Sequence, residues 1–341
     1  MKLSIQRTAF FFAVILVLIC TASSFAQQDI STKKDDWPMH LRFLTGPNGG
    51  QWFFMGDPIA EVLSTHVLPT SSRVGGGVAN IESVNQKSGD LGFTLNCFLG
   101  AAHSGEEEYQ SIKLDNTTVL ANIYPQVLYF LLRKDFAEQH GIDSVETLLD
   151  KKMPLRFASL KPGTASEFIL NLILKHGYGT SFEGLEAQGW SIAFNNYAET
   201  ADNFVAGDLD CFAYTAGTNV PLIHTIEEHI EVVILPLDSR VLDKLAEKFK
   251  TGTYVIPAGD YKSARSPITT LGDYTSIIVR KDFPDDLVYE ITKTLWGNKG
   301  DVEKVIADFG GLDPQTAIPE GIEVHPGALR FWQEMLSSAK K

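Results

Sequence analysis

Two stretches far apart in the chain end in the same four residues. Leu128-Tyr129-Phe130-Leu131-Leu132 runs into Arg133-Lys134-Asp135-Phe136, and Ser276-Ile277-Ile278-Val279 runs into Arg280-Lys281-Asp282-Phe283. Each reads as an apolar extended segment, a basic end and an Asp cap that starts a helix. If strands 127–132 and 275–280 lie side by side, everything between them is an inserted second lobe, and the chain passes twice between lobes. That predicts a discontinuous lobe I, 38–125 plus 275–341, and a lobe II, 126–274, joined by a hinge. The same grammar is frequent at ordinary strand-to-helix junctions, and the glycine turns that follow are what favour the hinge.

The rest of the chain alternates strand, small-residue turn and helix, which implies an α/β architecture. Residues 41–45 read as strand, 52–66 as helix, 71–75 as extended, 78–88 as a helix ending near Gly89, and 91–95 as a buried strand. Residues 100–117 read as irregular and polar, and Glu106-Glu107-Glu108 as a solvated acidic patch. In the insert, 155–158 is a strand and 161–167 a turn of small and hydroxyl residues. A helix over 168–176 follows, ended by Gly177; then strand 191–195, helix 199–206 and strand 209–214. A strand that feeds a helix through glycines lets a ligand approach the main chain, and the unpaired N–H groups of the first helical turn favour an anion. Such turns stand at Gly46, Gly49 and Gly50, at Gly75-Gly76-Gly77, at Pro162–Glu167 and at Ala216–Asn219. In open α/β sheets, ligands sit beyond the carboxyl ends of strands, so turns from two lobes converge on one cleft.

Lys2 and Arg7 precede an apolar run from Ala9 to Cys20, and Ser24-Phe25-Ala26 supplies the small residues of a cleavage site. Residues 1–26 are therefore expected to be a secretory signal peptide. The bulky Ile19 before Cys20 argues against a lipid-modified cysteine, and no later stretch reaches the ~20 apolar residues of a membrane helix. A periplasmic protein without a stable membrane anchor is expected. The net charge of −13 grows more negative when Lys2 and Arg7 leave. Nucleic acid is then an unfavourable partner, because an acidic surface repels phosphate backbones. Cys97 and Cys211 remain, and free buried thiols are the expectation over a disulfide; no zinc spacing is present.

An enzyme is the rival class. The chain holds no Gly-x-Ser-x-Gly elbow, no His-Glu-x-x-His helix and no phosphate loop ending in Gly-Lys-Ser/Thr. His224 and His229, five apart, do not share one helix face. Ser166 beside Glu167 leaves a periplasmic hydrolase as an alternative, and a ligand-sensing lobe for a membrane kinase is another. The expectation is a non-enzymatic binding protein with no cofactor and no metal.

An ordered series of short motifs carries a resemblance. It comprises Thr45-Gly46-x-x-Gly49-Gly50 with paired aromatics, Gly75-Gly76-x-x-x-Asn80, Gly89-Asp90-Leu91-Gly92-Phe93 and Pro162-Gly163-x-x-x-Glu167. Gly207-x-x-Asp210-x-Phe212-x-Tyr214, Ile256-Pro257-Ala258-Gly259-x-Tyr261, Val288–Lys293 and His325–Leu329 continue it. From about residue 41 to 335 the chain resembles the TAXI family of TRAP-transporter solute receptors. The resemblance implies a periplasmic binding protein of the type II fold, a monomer that delivers a small organic acid to the integral-membrane subunits of a sodium-driven TRAP permease. It places Gly49, Gly50, Gln51, Trp52 and Phe53 at the first ligand loop, and Gly76, Gly77 and Asn80 at the second. Asn96 follows at the end of the third strand, and Thr164, Ala165, Ser166 and Glu167 stand in the second lobe. Gln51 stands where the family has a hydroxyl, the second loop lacks two hydroxyls, and Thr94-Leu95-Asn96-Cys97 replaces Val-Gln-Ser-Asp. A polar wall becomes partly apolar, which argues against glutamate. The ligand expected is a mono- or dicarboxylate with an apolar part against Trp52, Phe53 and Leu95. Arg73 beside the glycine turn, and Tyr214, Gly217 and Thr218 at the 216–219 turn, are further candidates; Tyr124, Tyr129 and Asn219 are possible donors.

Overall fold

The computed structural model describes residues 34–46, 51–105, 114 and 116–339. The expected signal peptide, Gly49, Gly50 and the Glu106–Glu108 run lie outside these residues. In chain order come β1 (Leu41–Leu44), α1 (Gln51–His66), β2 (Thr70–Arg73), α2 (Gly77–Asn85), β3 (Leu91–Leu95), α3 (Asn96–Ser104) and β4 (Thr117–Arg133). Then follow α4 (Lys134–His140), α5 (Val145–Asp150), β5 (Arg156–Leu160), α6 (Ala165–Leu172) with a π turn Ile173–Tyr178, α7 (Phe182–Glu186), β6 (Ser191–Asn195) and α8 (Tyr197–Ala206). The chain continues through β7 (Cys211–Ala216), α9 (Pro221–His229), β8 (Val232–Ile234), α10 (Ser239–Phe249), β9 (Gly252–Ile256) and β10 (Ile268–Arg280). It ends with α11 (Asp285–Gly297), α12 (Lys299–Glu303), a 3-10 turn Ala307–Gly311 and α13 (Pro326–Ser338).

One ten-stranded sheet runs β2-β1-β3-β10-β4-β7-β5-β6, with β8 on β4 and β9 on β10. β1 pairs in parallel with β2 and β3, and β5 in parallel with β6 and β7. Between these two parallel groups, β4 and β10 run antiparallel to each other. β4 is buried at all but two of its 17 positions, as expected of a central strand covered on both faces.

The expected neighbours are corrected in register. Gly272 lies opposite Val127 and Arg280 opposite Thr117, so 275–280 sits against 117–124. Residues 127–132 pair instead with β7, Val127 opposite Ala216 and Leu132 opposite Cys211. The pairing is antiparallel and both strands are longer than their apolar runs, so the two Arg-Lys-Asp-Phe endings lie at opposite ends of the pair. Register shifts between Thr275 and Ser276 and between Ile277 and Ile278 bend the ladder here. On its other edge, β10 pairs with β3 from Thr275 to Val279 and with β9 from Ile268 to Gly272. Asp273 and Tyr274 therefore lie at a seam where no strand pairs that edge.

The described residues from Trp37 onward form one compact unit. One hydrophobic cluster packs β1 and β3 on α1, α11 and α13, through Phe43, Phe93, Ile291 and Trp332; another packs β7 on α8 and α9, through Phe212, Phe204 and Ile223. A third joins the two parallel groups, holding Leu95 and Phe98 together with Phe168, Leu245 and Phe249. Helix α10 contributes because Val241, Leu242, Leu245 and Phe249 recur on one face, and Asp238 accepts from Arg240 N at its start. A Cβ on Gly100 would lie 2.6 Å from Phe249 O, so α3 and α10 touch backbone to backbone. The segment read as irregular from 100 begins instead inside α3. Cys97, in α3, and Cys211, at the start of β7, are buried and free. Among the described residues no helix is long and apolar enough to cross a membrane.

Candidate functional site

The turn after β2 is built on Asn80. Its Nδ2 donates to Thr45 O and to Phe93 O, each at 2.8 Å, and its Oδ1 accepts from Gly76 N at 3.0 Å. Asn80 thus ties the end of β1 and the middle of β3 to the glycine turn, so its side-chain groups are engaged by the main chain. A Cβ on Gly75 would lie 2.0 Å from Asn80 Oδ1, and one on Gly77 2.6 Å from the Phe98 ring. Gly76, by contrast, has nothing within 4 Å of that position. Among the described residues no side chain caps the first turn of α2, which leaves its main-chain donors for an anion. Arg73 is exposed and makes no ion pair among the described residues, the disposition of an ordinary surface arginine.

Trp52 is half-buried and stacks on Phe93 with ring centroids 5.7 Å apart. Its Nε1 donates to Tyr124 Oη at 3.1 Å and Thr275 Oγ1 at 3.2 Å. Tyr124 donates to Gln51 Oε1 at 3.1 Å, Gln51 Nε2 donates to Asp308 Oδ2, and Gln126 Nε2 donates to Thr275 Oγ1 at 3.3 Å. Burial raises the Tyr124 phenol well above its ordinary value and pushes the Asp308 carboxyl upward. Trp52 is therefore an anchored part of the through-strand network as well as an apolar wall. Phe53 packs edge-on against the exposed Phe54 at 5.6 Å, away from that network.

In the second group the hydroxyls are already engaged. Thr164 is the N-cap of α6, its Oγ1 accepting from Glu167 N at 3.3 Å and donating to Lys161 O at 2.8 Å. Ser166 is buried; its Oγ accepts from Thr215 N at 2.9 Å and lies 3.1 Å from Thr215 Oγ1. Glu167 folds back, accepting from Gly163 N at 3.2 Å and from Asn171 Nδ2. The hydroxyls of Thr164 and Ser166 thus serve the fold, and the main-chain N–H groups of Ala165 and Ser166 are the donors left at the head of α6. Tyr214 is fully buried among Phe212, Tyr129 and Tyr197, and its hydroxyl has no partner among the described residues. Thr218 is exposed. Gly217 O accepts from Tyr129 Oη at 3.1 Å, and a Cβ on Gly217 would lie 3.0 Å from Asp308 Oδ1.

Two contacts bring the groups together. Phe98 of α3 meets Phe168 of α6 edge-on at 4.4 Å, beside Gly77 and Ser166, and Gly217 meets Asp308. Gly77, with Trp52 beside it, lies against Phe98, and Gln51 and Gly217 lie against Asp308; Ala165 and Ser166 begin the helix that carries Phe168. Phe98, Phe168 and Asp308 escaped the sequence reading, although Asp308 stands in an Ala-Asp-Phe-Gly-Gly turn of the kind that marked the other loops.

Asn96 lies apart from them. Its Nδ2 donates to Asn122 Oδ1 at 3.0 Å, and its Oδ1 accepts from Ser276 Oγ at 2.7 Å. At the same helix start, Cys97 N donates to Asp273 Oδ2 at 3.0 Å. The protein's own carboxylate thus occupies the anion position at the head of α3, and Asn96 belongs to the seam.

Several solved structures are similar to the chain. They include MatC from Rhodopseudomonas palustris with bound malate, at 16% identity and a TM-score of 0.48, covering 89% of this chain and 98% of that one. The periplasmic aliphatic sulphonate binding protein SsuA from Escherichia coli matches at 13% identity and a TM-score of 0.43, over 89% and 92%. XAC2383 from Xanthomonas citri bound to chloride ion matches at 10% identity and 0.48, over 89% and 98%. The profile of the NMT1-like family matches residues 43–335, so the chain belongs to the NMT1-like family.

Proposed function

We propose that the chain is an extracytoplasmic solute receptor of the TAXI type, binding a small organic acid between lobe I (38–125 plus 275–341) and lobe II (126–274) and presenting it to a membrane TRAP permease. One observation carries this reading. Two uncapped or partly capped helix starts, at Gly77 and at Ala165-Ser166, flank the Phe98–Phe168 contact, where the chain's two parallel strand groups meet across β4 and β10. Main-chain N–H groups from both sides suit a carboxylate, and Trp52 with the Phe98–Phe168 pair suits an apolar portion. The Asp308 carboxylate favours a ligand whose own carboxylate lies at the helix starts and whose donor, if it has one, faces Gln51 and Gly217.

Micromolar binding requires about −8 kcal/mol, and a few charge-assisted hydrogen bonds at ~1.5–3 kcal/mol each supply it. Contacts made only when both sides meet the ligand favour the closed state, and no covalent step is needed. The test is calorimetry of ligand-stripped, refolded protein against a panel of carboxylic acids. Binding of acids with an apolar part supports the reading. Tight binding of glutamate with no binding of apolar acids overturns the ligand class, and flat titrations throughout overturn the receptor.

A further inference from the structure

At the seam of the sheet lies a half-open recess of about 530 Å³, within the usual range for small-molecule sites. It is lined by Asn96 at the start of α3, Asn122 of β4, Asp273 of β10, Thr251 just before β9, and Thr316 from the segment before α13. None of the glycine-turn residues lines it. The Asp273 side chain is 2% exposed. Its Oδ2 accepts from Cys97 N at 3.0 Å and its Oδ1 from Tyr274 N at 2.7 Å, with the Cys97 thiol and the Asn96 N–H also on the carboxylate; it has no cationic partner among the described residues. Thr251, 5% exposed, has a buried Oγ1 with no hydrogen-bond partner among the described residues. A buried carboxylate lacking a counter-charge and a buried hydroxyl lacking a partner are both costly, and they line the same cavity.

We propose that this recess is a second binding site, for a small primary ammonium compound carrying a hydroxyl group, with the ammonium on Asp273 and the hydroxyl on Thr251. An anion is disfavoured, since the cations at the recess reduce to Lys250, which is exposed and donates to Glu247 O at 2.9 Å. The groups that bear on Asp273 are Asn96 and Cys97 at the start of α3 and Tyr274 of its own strand, while Lys250, just past the end of α10, and Glu320 line the same recess. Burial moves the Asp273 carboxyl up to about 6, so ammonium binding weakens as pH falls through that value.

Calorimetry of the full protein with ethanolamine tests the site, with ethylene glycol and acetate as controls. Ethanolamine is expected to bind at pH 8 and to weaken at pH 5, with ethylene glycol and acetate silent at this site. Asp273→Asn should weaken ethanolamine roughly ten- to hundredfold and Thr251→Ala by a few fold, while carboxylate binding at the cleft persists in both. No heat with ethanolamine, equal binding of ethylene glycol, or unchanged affinity at pH 5 overturns the proposal. The pH series needs no variant, and a failure of carboxylates alone would count against the cleft and leave this site standing.

Discussion

Replacing Asn80 by Ala separates a positioning role from a ligand contact. The substitution deletes two donors, to Thr45 O and Phe93 O, and one acceptor, for Gly76 N. The carbonyls lie just past the end of β1 and in the middle of β3, inside the fold, and Asn80 itself is 1% exposed. Each lost hydrogen bond is worth about 0.5–1.5 kcal/mol, with a further penalty where its partner is left buried and unsatisfied. The sum is a destabilisation of about 2–4 kcal/mol in Asn80→Ala. Asn80→Asp keeps the acceptor but turns a carboxylate toward two carbonyl oxygens, and the cost should be at least as large. Urea unfolding followed by circular dichroism reads both, and an unchanged slope with a lower midpoint identifies a stability change. If Asn80→Ala unfolds within about 0.5 kcal/mol of the wild type yet loses ligand, the positioning argument is wrong and the side chain contacts the ligand.

Three further outcomes are expected. Gly217→Ala drives a Cβ toward Asp308 Oδ1, adding about 1 kcal/mol of repulsion; calorimetry should show roughly fivefold weaker carboxylate binding with little change in unfolding midpoint. Asp90 accepts from Arg42 Nε at 2.7 Å and from Arg280 at 3.2 Å, and despite its burial these partners hold its carboxyl below the usual value. Its contribution is therefore present above the unfolded value of ~3.9 and lost as pH falls through the lower folded one. Asp90→Ala should cost about 3 kcal/mol at pH 7 and proportionally less in strong acid, as read by urea unfolding across pH. Asp273, raised to about 6, has the opposite sign: its contribution is present below ~3.9 and lost as pH rises through 6. The wild type should gain stability relative to Asp273→Asn between pH 7 and pH 5, and a constant difference would contradict the burial argument.

Local order was legible where a single physical signal dominated. The glycine turns and apolar runs located β1, β3, α1 and α2 closely, and the repeated Arg-Lys-Asp-Phe endings picked out the two strands that span the sheet. Strand length was not legible, because β4 and β10 continue through polar stretches such as Gly272–Ser276 that periodicity reads as breaks. Those same polar residues are the ones at the seam and in the Trp52 network. Helix α3 was missed because its small apolar residues lack a 3.6-residue alternation and it starts on a cap, Asp273, supplied from far along the chain. Side-chain roles were the least legible. Thr164, Ser166 and Asn80 have the chemistry of ligand contacts, and only their partners reveal that the backbone takes up their hydrogen bonds. Asp308 and Phe168 reach the site from segments whose local sequence carries a turn or a core signal alone.

The central claim is that the strand groups joined by β4 and β10 close on a small acid. Small-angle scattering of ligand-stripped protein, repeated after addition of the compound released from it and identified by mass spectrometry, tests this most directly. The account predicts that the compound carries a carboxylate and that the radius of gyration falls when it is restored. A compound without an acidic group, or a scattering curve unchanged at saturation, would contradict it.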